Sequence, residues 1–392
     1  MGRRTASAAI AFALLAGEGT VRAEDKPQRP AGPWIEADLQ FQLRFDWTVG
    51  SANPGNRIKQ LYIDNGDIEI GLHATDWLTL HVHPVANAVR PPLPGRNAWF
   101  RGFAMYMEEL YVELDFGDVA FRAGKFNPSF AILHDEKVLR GIGAVGFTST
   151  YEITEMLGFG AAIRPDLTQH GLGKHEVSAQ FFFADTTFLN HSIFTTPRAT
   201  DTSFTRLSDR RFGDGGLANT NRPDNVVLAL TGSGFDFLPD LTYRLGFHLL
   251  RASPAGLAAG TETRDQTGYS AALQYNFTTT LWGAETKISP LVEWVHLRNP
   301  GGNPGFTNYV TLGTGFETGP WAVWLSGTLR DTVAVPGIAD ARDRLVALSL
   351  DRDVTDWLKA GIGYRYQRVN GVNDHVIGLR LWFARHIEIA LR

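Results

Sequence analysis

Apolar and polar side chains alternate residue by residue in long segments of this chain. From Leu39 to Trp47 the odd positions are apolar, whereas the even positions from Asp38 to Asp46 are polar or charged. Successive side chains of a β-strand point to opposite faces, so such a segment separates an apolar surface from an ionic one. The same division recurs in three further segments, 241–249, 269–277 and 358–366. The chain is therefore predicted to consist of strands with one apolar and one polar face.

The length of these segments indicates a membrane barrel. They extend to about ten residues, longer than the roughly five or six that are usual for strands in soluble proteins, and long enough for a tilted strand to cross a bilayer. Long connections also alternate with short ones, as in outer-membrane barrels. We therefore expect an all-β fold, a transmembrane antiparallel β-barrel of about sixteen strands, with eighteen as the alternative. The predicted strands are 35–47, 60–72, 77–87, 108–116, 119–126, 154–164, 174–186, 225–234, 241–250, 266–277, 285–297, 307–317, 321–330, 343–353, 357–368 and 374–383.

Three details refine this expectation. Trp77, Trp321 and Trp357 each stand where a strand leaves a short turn, which is typical of an aromatic belt at a membrane interface. The apolar parity of the last strand continues through Ile387 and Ile389, so that strand is expected to extend beyond Phe383. Among the connections, 130–139 is the segment expected to form a short helix.

Composition excludes several other classes of protein. The 392 residues are 44% hydrophobic and 20% charged, so a large core or a lipid-facing surface can form. The absence of cysteine excludes disulfide scaffolds and cysteine-based zinc sites. With 37 basic against 41 acidic residues there is no basic excess for binding nucleic acid, and no such partner is expected.

The N-terminus has the features of an export signal. Arg3 and Arg4 precede an apolar stretch from Ala8 to Ala16, and Val21 to Ala23 provides a small-residue cleavage site. The apolar stretch is far shorter than a bilayer crossing, which disfavours a membrane anchor. We predict a signal peptide at 1–23 and a single barrel domain at 24–392.

If the apolar parity contacts lipid, the opposite parity lines the lumen. Barrel closure brings the last strand beside the first and therefore places Arg44 near Arg380, with Arg365 and Arg330 close by on the same side. Two interpretations of these arginines remain open: a basic arc that polarises passing solutes, or lumen-filling groups that pair with carboxylates. The predicted pore-lining residues are Arg44, Arg122, Arg244, Arg330, Lys359, Arg365, Arg380, Asp46 and Glu113.

The segment Arg122 to Phe130, with Glu108 to Tyr111 before it and Tyr151 to Glu155 after it, resembles outer-membrane porins of the phosphate-selective porin O and P type. The resemblance implies a passive, water-filled barrel, commonly trimeric, in which an early loop folds inward and narrows the pore. The chain has few lysines, so phosphate selectivity is not carried over.

The connection near 127–153 corresponds to that inward loop, and a solvated surface loop is its alternative. The predicted constriction residues are His134, Asp135, Glu136, Lys137 and Arg140, followed by a glycine-rich stretch, 141–146, that suits packing against the wall.

These expectations combine into one functional hypothesis: an integral outer-membrane porin for small hydrophilic solutes or ions, without enzymatic activity. No nucleophile-elbow or kinase motif is present. His81 and His83 lie on one predicted strand face with His73 nearby in sequence, an arrangement that suits a metal, but no carboxylate completes the set at an obvious spacing, so no metal and no cofactor is expected. Two alternatives remain, a barrel hydrolase with its site at the rim and a structural or adhesive barrel that presents its large loop. Plugging of the lumen would favour the latter.

Overall fold

The wall of the molecule is a closed antiparallel β-barrel of sixteen strands, which confirms the predicted fold class and strand number. The computed structural model describes residues 32–196, 210–255, 264–334 and 340–391; the predicted signal peptide lies outside these ranges. The strand segments are β1 Trp34–Ser51, β2 Lys59–Thr75, β3 Leu78–Ala88, β4 Ala98–Trp99, β5 Phe103–Asp115, β6 Val119–Phe126, β7 Met156–Ile163, β8 Lys174–Ala184, β9 Ser192–Thr196, β10 Asn225–Phe235, β11 Leu238–Leu250, β12 Gln266–Tyr275, β13 Phe277–Leu281, β14 Ala284–Ile288, β15 Leu291–Arg298, β16 Gly305–Thr318, β17 Trp321–Ala334, β18 Ala341–Thr355, β19 Leu358–Val369 and β20 Val372–Ala390.

Six of these segments need a separate description, because they account for the difference between twenty segments and sixteen wall strands. β13 continues β12 and β14 continues into β15, so the four form two interrupted wall strands joined by a hairpin. β4 pairs with the first residues of β2, and β9 pairs with the first residues of β5. Both are short additions to the wall that long connections contribute.

Main-chain pairing between β1 and β20 closes the barrel. The register extends from Trp34 opposite Ala390 to Ser51 opposite Asp374, and the Leu391 amide donates to the Pro33 carbonyl at 2.8 Å. The last strand therefore does extend beyond Phe383, as the parity of the final residues predicted. Closure pairs the two outermost strands of the wall with each other, a requirement for any sheet that lies in lipid.

The two faces of the strands have the predicted parity. On β1, Phe41 is exposed on the outer surface, whereas Gln42 and Arg44 are buried inside the barrel. Trp77, Trp321 and Trp357 are half-exposed at the end of the barrel where the short turns lie. An apolar belt with an aromatic rim is the surface that a bilayer requires. Within the described ranges, no helix has the length and apolar character needed to span a membrane.

The connections alternate in length around the barrel. At one end, here called the short-turn end, 76–77, 236–237, 319–320 and 356–357 are two-residue turns, although 164–173 is longer. The opposite, long-loop end carries 89–102, 127–155 and 185–224, together with the short turn 370–371.

The helix expected at 130–139 is not formed; these residues make a series of turns. The amides of Ile132 and Leu133 donate to the side chain of Glu293, and the Lys137 amide donates to the Asp135 carboxylate. These amides are therefore bound by side chains and do not take part in helical hydrogen bonds. Elsewhere, short 3-10 turns occur at Pro54–Asn56, Ala144–Gly146, Thr148–Tyr151, Thr168–His170, Phe188–Asn190, Phe212–Asp214 and Pro300–Gly302.

The depth of an outward-facing residue on β18 should determine how well it tolerates a charge. Leu348 lies at the middle of the strand and Val354 near its short-turn end, and both are exposed. We expect Leu348→Arg to destabilise the barrel by roughly 2–4 kcal/mol and the matched control Val354→Arg by only about 0–1 kcal/mol, because the cost of arginine is greatest at the bilayer midplane. Reversible urea unfolding from lipid vesicles measures both. Equal losses would show that the outer belt is not embedded as described.

Candidate functional site

The connection 127–155, called the lumen loop from here on, folds into the barrel and is held at mid-height. The Ser129 amide donates to Gln180 Oε1 on β8 at 2.9 Å, and its carbonyl accepts from Arg244 Nη2 on β11 at 2.7 Å. The hydroxyl of Ser270 on β12 donates to the Phe130 carbonyl at 2.8 Å. The descending arm of the loop is thus attached to three strands of the wall.

Glu293 on β15 holds the two arms of the lumen loop together. Its carboxylate is 1% exposed and accepts the amides of Ile132 at 2.8 Å and Leu133 at 3.2 Å. On the returning arm, the Tyr151 hydroxyl donates to the same carboxylate. One buried acid therefore fixes both arms, and hydrogen bonds to a charged acceptor are among the stronger ones.

Glycines in the wall make room for the tip of the loop. A Cβ atom at Gly363 on β19 would lie 2.9 Å from Ile142, and one at Gly378 on β20 would lie 2.4 Å from it. Gly143 packs with similar closeness against the guanidinium groups of Arg44 and Arg365. A side chain at either wall glycine would push the loop away from the wall.

An apolar core fills one side of the lumen. From the loop it contains Phe130, Leu133, Leu139 and Phe147, and from the inward face of the wall it contains Phe182, Val227, Val295 and Leu345. The sequence analysis, which expected a polar lumen throughout, missed this core. The sequence does carry a signal for this core, because in segments such as 291–297 and 345–350 apolar residues stand at both odd and even positions.

The charged part of the lumen loop faces β1 and β2 on the other side of the lumen. Gln42 Nε2 donates to Glu136 Oε2 at 3.0 Å, and Lys137 Nζ pairs with Glu69. The side chains of Glu69 and Glu136 are each 20% exposed, in contrast to the sealed apolar core. Solvent therefore reaches the charged side of the lumen.

The structure brings several of the predicted pore-lining residues together here. Arg44 and Arg380 are cross-strand partners, and Asp46 lies 2.9 Å from Arg44 and 3.9 Å from Arg365. Asp64, which the sequence analysis did not select, also pairs with Arg44. This cluster, including Glu136 of the loop, surrounds the glycine-rich tip.

Each arginine of the predicted arc has a carboxylate partner. Besides the partners of Arg44 and Arg365, Arg380 binds Asp351 at 2.6 Å and Arg330 binds Asp343 at 2.7 Å. The arc is thus a set of ion pairs with both signs of charge present, and its field must come from the arrangement of the pairs.

The remaining predicted residues lie apart from this cluster. Arg122 is 3.5 Å from Glu113 on neighbouring strands, and Lys359 pairs with Asp353 at the exposed short-turn end. Arg244 lies across the lumen on β11. On the loop, His134 is 3.8 Å from Glu152 and Arg140 is 3.6 Å from Glu317 of β16.

Burial alters the protonation of two loop residues. It lowers the pKa of His134 to about 4, with a smaller contribution from Arg244, so this imidazole is neutral near pH 7. Burial, reinforced by the Asp64 charge, raises the pKa of Glu136 to about 7 despite the nearby Arg44. Glu136 therefore changes charge in the physiological range.

A group with metal-ligand chemistry occurs on β2 and β3. Ligand atoms of Asp67, Glu69 and His83 lie within 4.8 Å of one another, and His83 Nε2 is 3.5 Å from Asp67. The sequence analysis noted that no carboxylate completes the histidine set at an obvious spacing, but the fold brings two carboxylates of β2 beside His83. The absence of a metal stays a prediction. The ammonium group of Lys137 already places a cation on Glu69.

Lys125, at the end of β6, anchors the base of the lumen loop. Its side chain is fully buried, and Nζ lies 2.9 Å from Glu155, 3.0 Å from Asp185 and 2.9 Å from the Leu189 carbonyl. The ion pairs connect the returning end of the loop to the segment after β8. Lys125 belongs to the segment that carries the porin resemblance, but the sequence analysis assigned it no structural role.

Comparison with known proteins places the fold in a class. No protein-family model and no curated protein matches the chain. Among solved structures, OmpF of Salmonella typhi in complex with daunomycin superposes with a TM-score of 0.57 at 8% identity, over 90% of this chain and 97% of that one. The outer membrane channel DcaP of Acinetobacter baumannii gives 0.54 at 9% identity, over 93% and 100%.

A third similar structure is in-vitro folded OmpT, an outer membrane protein of Vibrio cholerae in its trimer form, with a TM-score of 0.50 at 12% identity over 90% of this chain and 100% of that one. The barrel therefore has the general fold of outer-membrane porins. The resemblance to the phosphate-selective subtype stays a prediction.

Removing the Lys125 cation should be costly. Lys125→Met removes the cation that lies between the buried Glu155 and Asp185 carboxylates, and we expect a loss of about 3–5 kcal/mol in the free energy of unfolding. The matched control is Lys174→Met, because Lys174 pairs with Asp166 at the exposed surface, where a pair contributes at most about 1 kcal/mol. Urea unfolding measures both variants. A loss at Lys125 no larger than at Lys174 would contradict its role as an anchor.

Proposed function

We propose that the protein is a porin of the bacterial outer membrane, a passive diffusion channel for small hydrophilic solutes or ions that the lumen loop narrows. The main support for this proposal is the position of the charged segment of that loop, which lies against the polar inner face of β1 and β2 within a closed barrel. Closure of the barrel provides a hydrogen-bond partner for the backbone groups that lie in lipid. A constriction lined by charged side chains sorts solutes by their size and by the sign of their charge. The process makes and breaks no covalent bond.

The passage we propose follows the charged side of the lumen. Its wall is formed by the ion pairs around Arg44, Asp46 and Arg365, and the loop faces it with Glu136 and Lys137. In a narrow pore less water lies between a charged side chain and a passing ion than in bulk solution, so the electric field is screened less. Even paired charges therefore orient dipolar solutes. The apolar core on the other side limits the width.

Location and assembly belong to the same proposal. The predicted export signal and the apolar belt support insertion into the outer membrane after cleavage at residue 23. A homotrimer is supported by the trimer form of one structural neighbour and by the sequence resemblance. Chemical crosslinking of the refolded protein in vesicles tests the trimer, and a ladder ending at the dimer or monomer would contradict it.

One observation favours a second candidate function. The apolar core and the lumen loop occupy much of the interior, as expected of a structural or adhesive barrel that presents its long loops. The candidates differ in conductance: a porin gives stepwise currents in a planar bilayer, whereas a plugged barrel gives none although it is folded.

Releasing the lumen loop should widen the channel. Glu293→Ala removes the acceptor for two amides and one hydroxyl, each bond to this charged group being worth roughly 1.5–3 kcal/mol. We expect a larger and noisier single-channel conductance than that of the wild-type protein in a planar bilayer.

The matched control is Glu285→Ala, since Glu285 is exposed on β14 and lies outside the loop contacts. It should conduct as the wild type does. Unchanged conductance in the Glu293 variant would show that the loop does not limit the current.

Selectivity should depend on pH through Glu136. Because its pKa is raised to about 7, lowering the pH from 8 to 6 protonates most of it and removes a negative charge beside Arg44. The reversal potential in a salt gradient should therefore shift towards anions over this range. Glu136→Gln should lose that shift, whereas Glu285→Gln should retain it. An equal shift in all three proteins would assign the pH dependence to another group.

A further inference from the structure

Three arginines stand on the outward face of the barrel at the long-loop end of β18 and β19. Arg342 and Arg344 lie at the start of β18, Arg368 lies next to the last residue of β19, and all three are exposed. Arg344 and Arg368, called the arginine pair from here on, are direct cross-strand partners. Side chains in this relation have Cβ atoms about 4.5–5.5 Å apart, and like charges at that spacing repel. An anion placed between the two guanidinium groups would remove the repulsion.

Within the described ranges, no carboxylate pairs with either member of the arginine pair. Asp343 and Asp374, the acids nearest to the pair in sequence, are buried on the inward face of the wall. Asp331 of β17 faces outward, but it lies 3.9 Å from Arg342, outside the pair. Asp340, which precedes β18, is exposed and has no ion pair in the described part of the chain. The arginine pair therefore keeps both of its positive charges.

Two tyrosines on the same face of β19 fix the depth of the arginine pair in the membrane. The Tyr366 hydroxyl donates to Asn373 Oδ1 at 2.9 Å, and the Tyr364 hydroxyl is 2.6 Å from His375 Nδ1, so both rings are held against β20. The Arg344 guanidinium lies 5.7 Å from the centre of the Tyr366 ring. Tyrosine rings favour the boundary between hydrocarbon and water. The arginine pair, one step further from the middle of the barrel, is thus at the level of the lipid headgroups.

Apolar side chains continue this face towards the middle of the barrel. Val346 and Leu348 follow on β18 and Ile362 lies near them on β19, and these three side chains are 43%, 48% and 50% exposed. The surface thus combines two cations at the level of the headgroups with an apolar face at the level of the acyl chains. A lipid with an anionic headgroup contacts both parts, whereas a free anion contacts only the first.

The guanidinium group is particularly suited to phosphate. It can donate two parallel hydrogen bonds to phosphate oxygens, and such charge-assisted bonds are roughly twice as strong as bonds between neutral groups. We propose that the arginine pair binds the phosphate group of a membrane lipid, whose acyl chains lie along Val346, Leu348 and Ile362. The lipid belongs to the leaflet at the long-loop end. This site lies outside the lumen, so it goes beyond the proposed channel function and depends only on insertion of the barrel into a bilayer.

Native mass spectrometry of the refolded barrel in nonionic detergent measures lipid binding without a conductance assay. Dioleoyl phosphatidic acid should bind saturably. Dioleoyl phosphatidylcholine, which has the same chains but no net charge, should bind at least tenfold more weakly, and an equimolar amount of inorganic phosphate should leave the phosphatidic acid in place. Equally tight binding of the two lipids would overturn the proposal, and displacement by inorganic phosphate would overturn the assignment to a lipid.

Two variants locate the binding. Arg344→Gln and Arg368→Gln should each weaken the binding of phosphatidic acid at least threefold, and the double variant should weaken it at least tenfold. Arg352→Gln is the matched control, because Arg352 also lies beside an outward aromatic ring, 5.1 Å from the centre of Trp321, but at the short-turn end and opposite Ala360. It should bind as the wild type does. Heat-modifiable migration on gels verifies that each barrel is folded, and unchanged affinity in the double variant would overturn the proposal.

The stability of the double variant separates a lipid site from a structural role of the arginines. In vesicles of phosphatidylcholine alone, the double variant should unfold at the same or a higher urea concentration than the wild type, because it lacks the repulsion between like charges. In vesicles that also contain phosphatidic acid, the wild type should be the more stable, because a ligand that binds only the folded state stabilises it.

A double variant that is less stable in both kinds of vesicle would assign the arginines a structural role and overturn the proposal. Neither measurement involves the channel. Conductance without lipid binding refutes the site and leaves the diffusion function intact, whereas lipid binding to a barrel that never conducts refutes the diffusion function alone.

Discussion

Main-chain pairing between β1 and β20 is the interaction on which the rest of this structure depends. An apolar outer belt removes water from the strands, so each backbone amide must find its partner within the sheet. Pairing from Trp34 to Ser51 along β20 meets that requirement for the last two edges. Closure at sixteen strands also fixes the width of the lumen. That width is too large for wall side chains alone to fill, and the chain fills part of it with a loop.

The lumen loop and the wall are adapted to each other. Where the loop carries a bulky residue, such as Ile142, the wall carries Gly363 and Gly378. Where the loop turns, Glu293 of the wall accepts hydrogen bonds from two amides of the loop. The interior is thereby divided into an apolar side that behaves like the core of a soluble protein and a charged side that solvent reaches. This asymmetry arises because the inward-facing residues of the wall are apolar on one side of the barrel and polar or charged on the other.

The sixteen wall strands could be predicted because alternation is a local property; the bounds of β6, Val119–Phe126, agree at both ends. β4 and β9 were missed because they are too short to show a period. The turns at 130–139 depend on Glu293, about 160 residues away in sequence, and no local pattern reveals such a contact. Asp64 was overlooked for a different reason. The register shifts where Gln42 and Leu43 face β2, so Asp64 falls at an irregularity that breaks the parity count.

The meeting of the first and last wall strands has a consequence for how the molecule is viewed. Pro33 and Leu391 are joined by a hydrogen bond at the short-turn end, where most neighbouring strands are joined by two-residue turns. In the wall, β1 and β20 pair as any two neighbouring strands do, although no turn joins them. The order of strands along the gene is thus one of several ways to cut the same ring. A circular permutant that links 33 to 391 and opens at Gly319 would have the same neighbours around the barrel.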